Sequence, residues 1–222
     1  MELTVETVFR DAPNLARETA RSEGLRQKAT SLALYACAGG SLYGLTMGMN
    51  HSLQQALVSA VKVPLLFGVT LAICLPTLHF VGLLCGSTVR LGQTLTVLLA
   101  GISLTCTLLG AFTPISLLFL ASESSYPFLL FLHVATFAVC GAAGLRSVHR
   151  SMALLRAEGA GGAAPVSDQV LRLWTLLYMF VGAQTAFLLS PFIARDPGFV
   201  LLNPHRGSVF GYLLSVLVGG AP

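Results

Sequence analysis

Five stretches of the chain, 29–49, 56–84, 93–121, 127–145 and 170–194, are apolar almost throughout. A helix crosses the hydrocarbon core of a bilayer with about 20 predominantly apolar residues. Inside that core a helix satisfies each backbone N–H and C=O within its own segment. Runs of this length therefore predict spanning helices. The rest of the chain agrees, because only 10% of its 222 residues are charged and 55% are hydrophobic, whereas a soluble domain carries about 25% charged residues. Mean hydropathy is +0.78. The expected fold is all-α: a polytopic membrane helix bundle with five transmembrane helices in one domain, 29–194.

The flanks read differently. Residues 1–28 are polar, with Leu3, Val5, Val8 and Phe9 giving one weak apolar face and Asn14 placed to cap a second, charge-rich helix. An amphipathic, basic segment of this kind gains from lying on anionic headgroups; a docking site for a soluble partner is the alternative. No short apolar region follows Met1, so no cleaved signal peptide is expected. "AEGAGGAAPVS", 157–167, is a flexible linker before the fifth span. In the tail, "RDPGFVLLNPHRG" cannot cross a membrane. The "SVFGYLLSVLV" after it would be a helix of about 16 Å, too short to span, and is expected to be interfacial or re-entrant.

Basic residues set the expected orientation. Arg10, Arg17, Arg21, Arg26, Lys28, Arg90, Arg146, Arg150, Arg156 and Arg172 fall on one side of a five-span layout, ten of the 13 in the chain. Lys62, Arg195 and Arg206 fall on or towards the other. The positive-inside rule then puts the N-terminus in the cytoplasm and the C-terminus outside, in a plasma or inner membrane. The net charge of +4 is accounted for by topology, and nucleic acid is not an expected partner.

Within the first span, Ala36, Gly40, Gly44 and Gly48 recur every four residues. Glycine costs a helix in water about 1 kcal/mol relative to alanine. In lipid, apolar contact between helices brings no gain over contact with lipid tails, and small residues serve by letting backbones approach. The stripe is thus expected to be a smooth groove holding another helix, either a neighbouring span or the same span of a second copy. Gly82/Gly86 and Ala138/Ala142 repeat the spacing and favour packing within the chain.

Ionisable residues inside a membrane cost about 3 kcal/mol at the centre of a span. Lys62, Glu123 and His133 all lie towards the outer side of spans two, three and four, and form a candidate intramembrane polar site. The competing expectation is that Lys62 snorkels to the outer headgroups and that Glu123 is simply wet. His79 and Gln184 lie elsewhere in the spans. Pro64, Pro76 and Pro114 interrupt helices in ways that neighbouring groups must compensate. Cys37, Cys74, Cys85, Cys106 and Cys140 form no CxxC pair and read as small apolar side chains. No HExxH, paired carboxylates, GxSxG or P-loop occurs, so neither enzymatic activity nor a metal or other cofactor is expected.

Two stretches carry a family likeness. "SLYGL", 41–45, is similar to the DLYGP motif of the Yip1 family, with Ser41 in place of Asp and Leu45 in place of Pro. "CGSTVRLGQTLTVLLAGISLTCTLLGAFTPI", 85–115, resembles that family's Gly, short linker, Gln and Pro-containing third span. The resemblance implies a five-span, non-enzymatic membrane protein, and members in eukaryotes act in vesicle trafficking with small GTPases. The expected function is a membrane scaffold or a subunit of a membrane assembly, with the bilayer and a membrane protein or second copy as partners. The alternative is a small transporter or permease component using Lys62, Glu123 and His133.

The orientation is testable at the linker. A cysteine placed at Gly161 in a cysteine-free background should resist a membrane-impermeant thiol reagent until the membrane is opened. Labelling in intact cells would sink the five-span layout.

Overall fold

The computed structural model describes residues 18–19, 21, 24–49, 53–87, 89–122, 126–157 and 167–189. These form five long helices: α1 (Leu25–Met49), α2 (Leu53–Leu84), α3 (Leu91–Ala121), α4 (Tyr126–Ala157) and α5 (Asp168–Leu189). The expected cap at Asn14, the apolar face of residues 3–9, Glu123, most of the linker and the tail from 190 onward lie outside the described residues.

Four of these helices, α2 to α5, are long and apolar enough to cross a membrane. The first is not among them. Gly39, Gly40, Gly44, Gly48, Tyr35 and Tyr43 dilute its hydropathy over its 25 residues. Its position explains why it can be less apolar than the rest: α1 lies between α2 and α3 and packs on both, so much of its surface meets protein.

Contacts fix the direction of each helix. Along α1, Leu32 packs on Leu99 and Ala100 and Gly39 on Cys106, so α1 and α3 run parallel. Gly40, Gly44 and Gly48 meet Val63, Ser59 and Ala56 in turn, so α2 runs against α1. Gly101 meets Val148 and, one turn on, Thr105 meets Gly144, so α4 runs against α3. Trp174 and Leu171 of α5 join Cys74 and Leu78 of α2 in one core. The lower end of the bundle is taken below as the one where α1, α3 and α5 begin.

Several ends are built by local chemistry. α2 stops in a Schellman arrangement: Gly86, at φ 84°, adopts the left-handed conformation that side chains disfavour. Its N–H reaches the Leu83 carbonyl at 2.9 Å and the Ser87 N–H reaches that of Gly82 at 2.9 Å. At the start of α3 the Gln93 side chain accepts from the Arg90 N–H (2.9 Å), the back-reaching half of a capping box. Its amide donates to the Thr19 carbonyl (3.1 Å), tying the chain before α1 to the bundle. Lys28 is 8% exposed and pairs with Glu18 at 2.7 Å.

One boundary differs from the sequence expectation. The fourth run ends at 145, yet α4 continues through Ala157. Its extra turns are amphipathic: Val148, Met152 and Leu155 enter the core with Val97, Leu98, Leu171 and Trp174, while Arg146 and Arg150 remain exposed on the opposite face. An apolar-run criterion ends at the first arginine, although a helix continues wherever one face still has a partner.

The glycines of α1 are not equivalent. A methyl at Gly40 would meet only side-chain atoms, at 3.4 Å or more. At Gly44 it would fall on the Ser59 carbonyl, with Ala60 Cα at 2.9 Å, and at Gly48 on the backbone of Gln55 and Ala56. On the neighbouring face, Gly39 is pressed against the backbone of Cys106 and Thr107. Gly44→Leu should therefore destabilise the fold by about 1–3 kcal/mol or more, read as lost folded protein in detergent, whereas Gly40→Ala should be nearly neutral. A Gly44→Leu chain that stayed folded and only lost self-association would place a second copy in the groove.

Candidate functional site

Buried polar side chains occur along the whole bundle, with Lys28, Thr94, Thr96 and Ser151 among them at the lower end. The lower core of Cys74, Leu78, Val97, Leu98, Val148, Met152, Leu155, Leu171 and Trp174 is apolar. In the upper half, buried polar groups come from four helices: Tyr43 and Thr46 on α1, Gln55, Ser59 and Lys62 on α2, Thr113 and Ser116 on α3, and His133 and Thr136 on α4. Antiparallel alternation brings the C-terminal halves of α1 and α3 to the N-terminal halves of α2 and α4, which gathers these residues at one depth.

At the centre, the Tyr43 hydroxyl and His133 Nδ1 are hydrogen-bonded at 2.8 Å. Their rings meet edge to face, with centroids 5.5 Å apart. Tyr43 is wholly buried and His133 is 5% exposed. The side chains of Ser116 and Thr136 lie beside the Tyr43 hydroxyl. Phe137 stands edge-on to Tyr43 and, with Met47, Val63 and Leu109, closes the cluster in apolar contacts. A tyrosine has an apolar body and one polar tip, and here the tip is bonded across helices from α1 to α4.

The remaining hydroxyls are handled locally. Thr46 donates to the Tyr43 carbonyl (2.6 Å) and Thr136 to the Leu132 carbonyl (2.8 Å). Thr113 is buried and, among the described residues, its hydroxyl has no hydrogen-bond partner. It directly precedes Pro114, whose ring nitrogen has no proton for the Gly110 carbonyl.

The three candidate polar residues have separate fates. His133 is in the cluster, bound to Tyr43. Lys62 faces the bundle interior and is 5% exposed, so its stem is covered by protein where snorkelling would leave it along lipid. Glu123 lies outside the described residues. His79 is half-buried, with its ring 6.0 Å from that of Phe80, and Gln184 is half-buried on α5. All five cysteines are free thiols; Cys74, Cys106 and Cys140 are buried.

Tyr43 is the functional candidate that the charge-based reading of the sequence missed. The available signal was its phenol within an apolar run, beside Gly44: a buried hydroxyl in lipid needs an acceptor or donor on a neighbouring helix. The lower half carries a second interhelical bond that sequence reading also missed, from Trp174 Nε1 to the Cys74 carbonyl (2.9 Å). The arrangement at Tyr43 joins α1 to α4 through one phenol.

The bond between Tyr43 and His133 can be measured as a coupling. Tyr43→Phe and His133→Leu should each destabilise the protein, and the double variant should lose less than the sum, by about 0.6–1.7 kcal/mol, the range of interhelical hydrogen bonds within membranes. Unfolding in mixed micelles checks this, and strict additivity would mean that the pair contributes no shared energy. No protein-family model, curated protein or solved structure matches this chain.

Proposed function

We propose that this integral membrane protein is a non-enzymatic scaffold, or a subunit of a membrane assembly, of the Yip1-like kind. In this reading α1 is a fifth span, the N-terminus is cytoplasmic and the tail lies outside. The observation that carries it is the use of His133: the imidazole is bound to Tyr43 in an interhelical joint, where a transport or catalytic site would need it turned towards a substrate. The glycine contacts of α1 with α2 and α3 support the same view, because they describe a rigid bundle. Further up, α5 offers Met179 and Leu188, both more than half exposed, to lipid or to another membrane protein.

One observation favours the second reading, a small transporter or permease component. Lys62 is buried at the same end of the bundle as His133, and buried ionisable groups in membranes mark substrate or ion pathways.

Lys62→Met distinguishes the two. Methionine keeps the apolar stem and removes the charge. A scaffold should retain its co-purifying membrane partner in mild detergent and complement a deletion strain as the parent does. A Lys62→Met chain that folds, keeps its partner and fails to complement would establish the transporter reading.

A further inference from the structure

Between α2 and α5 at the lower end runs an open groove of about 530 Å³, lined by Thr77, Leu78 and Val81 on one wall and by Leu173, Trp174 and Leu176 on the other. Ligand sites of small-molecule size fall at about 300–1,000 Å³. The groove opens sideways from the bundle, as the exposure of Leu173 (69%) and Leu176 (65%) records, so in a bilayer it faces acyl chains. Its walls are bulky. The close backbone approaches at Gly39, Gly44, Gly48, Gly101 and Gly144 need a missing side chain, and side chains such as Leu173 and Leu176 hold a second helix further off. A flexible hydrocarbon chain fits where a helix does not.

Charge reaches its lower rim at Arg172, which lies one turn below Leu176 on the same flank of α5 and is exposed. Asp168, in the first turn of α5, opposes it. On the topology proposed above this end is cytoplasmic, where basic residues beside helices suit anionic headgroups.

We propose that this groove binds one anionic phospholipid, with an acyl chain lying along Trp174 and the phosphate at Arg172. The chain's single tryptophan makes the proposal measurable. The full-length protein is reconstituted in phosphatidylcholine vesicles containing brominated phosphatidylglycerol, and in the reverse mixture, and quenching of Trp174 fluorescence is titrated. The anionic lipid should bind about fivefold tighter, the worth of about one arginine at an anionic surface. Arg172→Gln should abolish that preference, Arg172→Lys should keep it and Asp168→Asn should increase it. Equal quenching by the two lipids in the parent, or a preference unchanged in Arg172→Gln, would overturn the headgroup assignment. Absence of quenching by either lipid would show that protein fills the groove, and would overturn the site altogether.

Discussion

The fold depends on how closely α1 can approach its two neighbours. Gly44 and Gly48 bring its backbone onto that of α2, and Gly39 brings it onto that of α3. In hydrocarbon, where dispersion and hydrogen bonding replace the hydrophobic effect between helices, such approaches are the main source of association. Because α2 and α3 touch each other far less than each touches α1, the first helix is the piece on which the others are hung. Its low hydropathy follows from the same fact: glycines that let neighbours in also make a segment less apolar.

A second division runs along the bundle. The lower end is held by apolar packing, supplemented by the indole of Trp174 on the Cys74 carbonyl. The upper half adds to its apolar cluster and its glycine contacts a bond between polar groups that must find one another once water is absent, Tyr43 to His133. Low dielectric strengthens bonds of this kind and penalises any partner left alone.

Much of this was legible in the residues. The bilayer imposes a length on apolar runs, and the runs starting at 56 and 93 correspond to α2 and α3 within a few residues. Gly40, Gly44 and Gly48 share one spacing in the sequence, but in the fold a methyl at Gly44 or Gly48 would fall on the backbone of α2, whereas one at Gly40 would make ordinary side-chain contact. The extension of α4 was hidden because Arg146 and Arg150 end the apolar run while Val148 and Met152 continue the buried face. The pairing of Tyr43 with His133 was hidden for a different reason. Charge draws the eye to Lys62 and His133, whereas a phenol among glycines looks like packing until the helix opposite is known.

The parallel arrangement of α1 and α3 has a consequence for biogenesis. Synthesis delivers α1 before α2 and α3, and among the long helices of the described residues it is the one that falls short of spanning hydropathy on its own. Its contacts at Cys106, Leu109 and Ser116 do not exist until most of α3 has emerged. In the interval only α2 can hold it, through the Gly44 and Gly48 contacts at the near side of the turn. With α1 as a fifth span, as proposed above, the α1–α2 hairpin is the unit that must be stable inside the insertion machinery, and α3 then closes over a helix already in place.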